Sequence, residues 1–373
     1  MKKILFLTGT RADFGKIKSL ISILEKEEAF EVFVFVTGMH LQQEYGYTLI
    51  EIERCGFKNI HTFLNHTHET TMDLTLAKTI EGLSGYVKTI QPDMIVVHGD
   101  RVETLAGAIV GSLNNILVAH IEGGEISGTV DELIRHSVTK LCHIHFVSND
   151  EAAKRLLQMG ETASSIFTIG SPDIDIMFSD QLPDLDIAKS YYGIDFDTFS
   201  VAMFHPVTTE ANFMKEYAQH FVEALLKDHH NYVVIFPNND NGSHHIIKAY
   251  EILKNNDRFK VFPSLRFEYF LTLLKNSQFI IGNSSAGIRE APYYEIPVIN
   301  IGTRQQNRAV HSTIINTTYE EESISNALKT INSIQTEKLI SGFGTGNSTQ
   351  QFLDAMKSDA IWTINHQKQF TDI

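Results

Sequence analysis

Short apolar runs alternate along the chain with stretches in which apolar residues recur every three or four positions. The runs predict strands at 3–8, 31–37, 94–98, 117–121, 143–147 and 166–169, and the amphipathic stretches predict helices at 15–26, 71–91, 101–114, 129–141 and 150–159. Strands apolar on both faces, separated by amphipathic helices, are what a parallel sheet covered by helices requires. The pattern restarts with strands at 199–204, 232–236, 260–262, 279–281 and 298–301 and helices at 212–227, 245–255, 266–276 and 321–332. A polar stretch over 179–186, holding Pro183, separates the halves, which places a boundary between 172 and 183. With 373 residues the chain exceeds what one core usually spans. The expectation is α/β, with two doubly wound parallel sheets. A last helical pattern covers 349–365 and is free to pack on either domain.

Composition narrows the function. Apolar residues make up 43% and charged residues 20%, as in a soluble globular protein. A net charge of -14 argues against nucleic acid or an anionic membrane as partner, because the bulk field repels both. Any bound diphosphate therefore needs cations concentrated locally. Two cysteines, Cys55 and Cys142, form neither a disulfide framework nor a zinc ribbon. The apolar run Ile4-Leu5-Phe6-Leu7 is too short for a signal peptide and is followed directly by Arg11 and Asp13, so it reads as a first strand. No run reaches membrane-spanning length, and a cytoplasmic location is expected.

In open parallel sheets ligands sit beyond the carboxyl ends of the strands. The segment after 279–281 reads Gly282-Asn283-Ser284-Ser285-Ala286-Gly287 and leads into a helical pattern. Small residues there let backbone approach a ligand, and helix-opening N–H groups with the Ser284 and Ser285 hydroxyls suit a phosphate. Glu290 follows, where it can accept from sugar hydroxyls; a plain serine-capped turn is the alternative. Gly9-Thr10-Arg11-Ala12-Asp13 after the first strand is not a dinucleotide fingerprint, but Arg11 suits a nucleotide. His40 closes the second strand, and Asp100 and Arg101 close the third, with a plain helix cap as the other reading of Asp100. Glu122-Gly123-Gly124-Glu125 gives packing little to use, which favours Glu122 as a catalytic carboxylate. Thr129 and Glu132 have capping-box spacing, which puts Asp131 in a first turn with Arg135 one turn on, as a functional pair or an exposed ion pair. Pro206 holds His205 extended at a strand tip, and Arg266 and Arg304 stand at further element ends. The clustered His66 and His68, and Cys142 with His143 and His145, lack a full metal-ligand set, so no metal is expected.

Gly9-Thr10-Arg11-Ala12-Asp13-Phe14-Gly15, Gly99-Asp100-Arg101, His120-Ile121-Glu122-Gly123-Gly124-Glu125, Arg135-His136-Ser137, His205-Pro206, Gly282-Asn283-Ser284-Ser285 and Gly302-Thr303-Arg304-Gln305 together resemble the hydrolysing UDP-N-acetylglucosamine 2-epimerases that open bacterial sialic acid synthesis. The likeness covers nearly the whole chain except its last few dozen residues. Non-hydrolysing relatives resemble Gly-Thr-Arg-Pro-Glu in the first loop, and they carry Thr after the Gly-Asp pair, where this chain has Arg101.

The resemblance implies two Rossmann-like domains in the glycosyltransferase-B arrangement. The first covers 1–172 with a C-terminal helix at about 350–373 crossing back to it, and the second, UDP-binding domain covers 173–349. It implies a UDP-sugar substrate, no cofactor, and a homodimer or higher homo-oligomer. Asp100, Glu122 and Asp131 would transfer protons or stabilise charge at C1, with Asp13 orienting water or sugar and His205 donating to the diphosphate or shuttling a proton. Arg101, Ser284 and Ser285, with Arg11 and Arg304, would hold the diphosphate, Glu290 the ribose, and His40, Arg135 and Arg266 would complete the substrate set. Four rivals stay open: a sibling epimerase for a 2,4-diacetamido UDP-sugar, a non-hydrolysing UDP-N-acetylglucosamine 2-epimerase, a glycosyltransferase of the same fold, and a non-catalytic UDP-sugar sensor. Three carboxylates argue against the sensor, since a binder of an anion gains nothing from added negative charge.

Overall fold

The computed structural model describes the chain except residues 66–70, 128, 181, 307, 309–310, 337–341, 370 and 373, so His66 and His68 lie outside the described residues. Two compact units emerge. Unit 1 comprises Met1–Glu125, Asp131–Phe178 and Phe343–Ile373, and unit 2 comprises Ile126–Val130 and Ser179–Gly342. Among the described residues no helix is long and apolar enough to cross a membrane.

Unit 1 is built on strands β1 (Lys2–Thr8), β2 (Phe30–Val36), β3 (Ile60–Thr62), β4 (Met94–His98), β5 (Leu117–Ile121), β6 (Ile144–Val147) and β7 (Ile166–Thr168). They form one parallel sheet in the order β3-β2-β1-β4-β5-β6-β7, which reverses direction between β1 and β4. Its helices are α1 (Arg11–Leu24), α2 (Leu49–Glu53), α3 (Met72–Ile90), α4 (Val102–Leu113), α5 (Val130–Leu141), α6 (Asp150–Gln158) and α7 (Pro172–Met177). Helix α1 starts four residues earlier than its apolar pattern suggests, because Thr10 and Asp13 form a capping box that satisfies the first orphan N–H groups. Ile4, Phe6, Ile17, Leu20 and Val34 are buried between sheet and helices, each worth about 1.5–3 kcal/mol relative to exposure.

Unit 2 repeats the design with β8 (Ser200–Met203), β9 (Tyr232–Ile235), β10 (Phe259–Phe262), β11 (Ile280–Gly282), β12 (Val298–Ile301) and β13 (Ile314–Thr317), ordered β10-β9-β8-β11-β12-β13 and all parallel. Helices α8 (Leu185–Tyr192), α9 (Met214–Lys227), α10 (Ser243–Tyr250), α11 (Phe267–Lys275), α12 (Ala286–Arg289) and α13 (Glu321–Thr330) cover it. The strand order reverses between β8 and β11. The expected α/β class with two doubly wound parallel sheets is therefore what the chain adopts.

The last pattern yields α14 (Ser348–Lys357) and α15 (Asp359–Trp362), which belong to unit 1. Phe352 packs its ring 4.9 Å from that of Phe146 and 6.5 Å from that of Phe6. Asp175 of α7 accepts the N–H groups of Ser348 at 2.8 Å and Thr349 at 2.7 Å, and so caps α14 with a negative charge. Further along, Lys368 Nζ donates to the carbonyls of Thr139 (2.9 Å) and Cys142 (2.6 Å) and pairs with Glu161 at 2.5 Å.

Candidate active site

The chemistry-bearing residues gather at the carboxyl edge of each sheet, beside the point where strand order reverses. In unit 1, β5 ends and the chain turns at Glu122, whose φ of 62° lies in the left-handed region. A side chain there is strained by about 1–3 kcal/mol and persists only where its surroundings hold it. They do so here. The Glu122 N–H donates to the Phe146 carbonyl at 2.8 Å, and its carbonyl accepts from Arg135 at 2.5 Å. Gly124, two residues on, has a φ of 76°, and a Cβ there would lie 2.4 Å from the Ala152 carbonyl oxygen. This is why the run between the two glutamates holds no larger residue.

The Glu122 carboxylate is only 3% exposed. Lys16 Nζ, from α1, lies 3.2 and 3.3 Å from its two oxygens and 3.0 Å from Asp173 Oδ2. Ser171 Oγ donates to Glu122 Oε1. His98 Nε2, at the tip of β4, stands 3.2 Å from Glu122 Oε2, off the direction of a hydrogen bond. Sequence reasoning missed Lys16, His98, Ser171 and Asp173. The usable signal for Lys16 was an ammonium one helical turn before the apolar Leu20 on α1.

Asp100 is partly exposed and pairs with the guanidinium of Arg135. It does not cap α4, whose N-cap is Arg101 with no side-chain bond, so the capping reading of Asp100 is corrected. Arg135 is 3% exposed, bonds Asp100 and the Glu122 carbonyl, and lies 3.9 Å from Glu125. The exposed ion pair is therefore replaced by a buried guanidinium that ties three chain segments together. Asp131 stands half-buried in the first turn of α5. Arg101 Nε lies 3.7 Å from buried Glu103, which packs under Gly9 and Gly38. Arg11 opens α1, half-buried.

Two expected contacts belong to the scaffold instead. Asp13 accepts from Thr8 Oγ1 (2.5 Å), Gly9 N (3.0 Å) and Thr10 N (3.2 Å), which makes it the acid of the capping box. Burial raises its pKa against those bonds. His40 is fully buried, with Nε2 against Thr8 Oγ1 at 2.9 Å and Nδ1 against Thr48 Oγ1 at 2.7 Å. Burial, helped by the nearby charge of Arg11, lowers its pKa to about 3, so the ring is neutral and supports the Thr8–Asp13 turn rather than a substrate. Cys142, His143 and His145 do not assemble as ligands either. His143 Nδ1 accepts the Val118 N–H at 3.1 Å, and His145 Nε2 meets Glu161 at 3.0 Å. Among the described residues the one grouping with three potential ligands is Asp228, His229 and His230, at the amino end of β9 and so at the opposite sheet edge.

In unit 2, Asn283 follows β11. Its carboxamide accepts from His205 N at 2.6 Å and donates to the His205 carbonyl at 2.8 Å. His205 Nδ1 accepts the Asn238 N–H at 3.1 Å, which makes Nε2 the nitrogen that bears the proton of a neutral ring. Gly282 has a φ of 135°, and a Cβ would lie 1.9 Å from the Met203 carbonyl oxygen; this close approach is what brings Asn283 and His205 together. The Asn283 carbonyl accepts from Arg304 (3.1 Å) and Gln305 (2.8 Å). Ser284 and Ser285 are half-buried, and the helix they open is only the four residues of α12 before a 3-10 turn. Glu290 follows at 5% exposure. Arg266 stacks its guanidinium 4.9 Å from the Tyr269 ring.

A model of the family described as UDP-N-acetylglucosamine 2-epimerase matches residues 22–357. The chain is 46% identical, over the full length of both chains, to a UDP-N-acetylglucosamine 2-epimerase of Neisseria meningitidis serogroup B. It is 31% identical to a UDP-N,N'-diacetylbacillosamine 2-epimerase (hydrolyzing) of Legionella pneumophila, with 96% of each chain covered. Among solved structures, the UDP-GlcNAc 2-epimerase of Methanocaldococcus jannaschii, in complex with UDP-GlcNAc and UDP, shares the fold with a TM-score of 0.81 at 21% identity, covering 95% of this chain and 99% of that one.

Proposed function

Because the chain belongs to the UDP-N-acetylglucosamine 2-epimerase family, we propose that it is an epimerase of the hydrolysing kind, converting UDP-N-acetylglucosamine and water to N-acetylmannosamine and UDP. The observation that carries this reading is Glu122, a buried carboxylate in a strained turn between Lys16, Ser171 and His98. Strain of this kind concentrates where a group must be held ready to react. Arg101 and the Ala12-Asp13 pair of the first loop, which depart from the non-hydrolysing pattern, support hydrolysis, as does the name of the Legionella relative.

The proton on C2 of the sugar becomes removable only as the bond from C1 to the diphosphate loosens. In this reading Glu122 takes that proton while UDP leaves, giving 2-acetamidoglucal. Arg101, Ser284, Ser285, Arg11 and Arg304 hold the diphosphate, and His205 donates to it from Nε2 as charge develops. Glu290 accepts from the ribose. Water then adds at C1, and C2 regains a proton on the opposite face. Asp100, held by Arg135, and Asp131 supply that proton or stabilise the cationic character at C1. Released N-acetylmannosamine suits a first step toward sialic acid. The resemblance further supports a homodimer or higher homo-oligomer, whose mass light scattering tests.

Proton NMR of UDP-N-acetylglucosamine with the enzyme in heavy water tests the reading. The expected product is N-acetylmannosamine carrying deuterium at C2, with UDP released in equal amount and no acceptor added. Unlabelled sugar would overturn it. The Legionella relative favours a second reading, a 2,4-diacetamido-trideoxy UDP-sugar as substrate, which the same assay decides by comparing the two sugars.

A further inference from the structure

We infer that Asp173 is a positioning residue for Glu122, acting through Lys16; this rests on the reading of Glu122 as the group that takes the C2 proton. Asp173 lies in the first turn of α7 and is fully buried. An acid in a first helical turn ordinarily faces solvent and the helix dipole. This one faces inward, with Oδ2 3.0 Å from Lys16 Nζ. The same ammonium lies 3.2 and 3.3 Å from the Glu122 oxygens and is itself only 9% exposed. One cation thus sits between two buried carboxylates that come from the end of β5 and the start of α7.

Packing alone does not call for this arrangement. Replacing buried ion pairs by apolar side chains of similar volume is often neutral or stabilising, whereas removing one partner is strongly destabilising. Its use lies in geometry. Lys16 is a long, flexible side chain, and a contact with Glu122 alone would leave its Nζ free to swing about the carboxylate. Asp173 supplies the second anchor. Ser171, two residues earlier, bonds Glu122 Oε1 directly, so the entry to α7 grips the carboxylate at one oxygen and its counter-ion at the other side. The orientation of Glu122 is thereby set in part by the segment that enters α7.

The test is Asp173→Asn, which keeps shape and removes charge. The expected result is a fall in kcat of about tenfold or more with KM for the UDP-sugar within about threefold, together with a larger isotope effect on kcat from the 2-deuterio sugar, because proton transfer has become slower relative to the other steps. An unchanged kcat, or a fall with no rise in the isotope effect, overturns the inference. Should the variant not fold, nitrogen NMR of wild-type Lys16 decides instead: a charged, slowly exchanging ammonium at neutral pH supports the double anchor, and a neutral or freely exchanging amine overturns it. Unlabelled product from wild-type enzyme in heavy water would sink the reading of function. Labelled product beside a fully active Asp173→Asn enzyme would sink only the role of Asp173.

Discussion

Asn283 and His205 are joined by two hydrogen bonds running in opposite directions, one into the carboxamide from His205 N at 2.6 Å and one out of it to the His205 carbonyl at 2.8 Å. The pair crosses the point in unit 2 where the strand order reverses, and Asn283 is fully buried. Asn283→Ala would leave both backbone groups of His205 without these partners. The expected loss of stability is about 1–3 kcal/mol in urea unfolding, with a fall in kcat beyond what the unfolded fraction explains. Full activity in the folded variant would separate Asn283 from the positioning of His205.

Glu122→Gln keeps the shape of the side chain and removes its capacity to take a proton. UDP affinity by calorimetry is expected to stay near normal, while turnover falls by about 10²–10⁴, the range for loss of a general base. Substantial turnover would move proton abstraction to Asp100 or Asp131.

Ser285→Ala is expected to weaken UDP binding by about 1–2 kcal/mol, the loss of one hydrogen bond to a charged group. Calorimetric titration with UDP measures it. With only one turn of helix behind Ser285, the hydroxyl has more to supply than it would at the head of a long helix. Unchanged affinity would place the phosphate elsewhere.

Glu161 predicts an acid-dependent term in stability. Burial alone would raise its carboxyl, but the hydrogen bond and charge of His145 and the bonds from Lys140 and Lys368 outweigh that and hold it at about 2. Because the folded value lies below the ordinary 4.5, the stabilisation is fully present above pH 4.5 and is lost as pH falls towards 2. Between pH 5 and 3 the urea midpoint of Glu161→Gln should therefore fall less steeply than that of the parent chain. Parallel slopes would show that Glu161 has no part in acid sensitivity.

The sheets were legible because their central strands are continuous apolar runs that only a covered parallel sheet can bury. Two of the four edge strands were not. Ile60-His61-Thr62 and Ile314-Ile315-Asn316-Thr317 are short and half-exposed, and their pairing is supplied by a neighbour rather than by their own pattern. At the candidate site, glycines and carboxylates after strands pointed to Asp100, Glu122 and the turn at Ser284. Spacing could not tell that Arg135 turns to Asp100, that Asp13 completes a cap, or that His40 lies sealed beneath it. Each depends on which segments the fold brings beside the residue. Asn283 was in plain view in its motif, yet its partner lies 78 positions away.

Phe352, Leu353 and Met356 are buried in the same core as Phe6 and Val34, although more than three hundred positions separate them in sequence. On the ribosome, the first Rossmann-like layer therefore emerges with a gap in its floor that nothing can fill until translation has passed through all of the second. Non-local closures of this kind slow folding and prolong exposure of greasy surface. For this enzyme, the interval between starting and finishing its amino-terminal half is set by elongation rate, and a chaperone that shields that gap would act early and let go late.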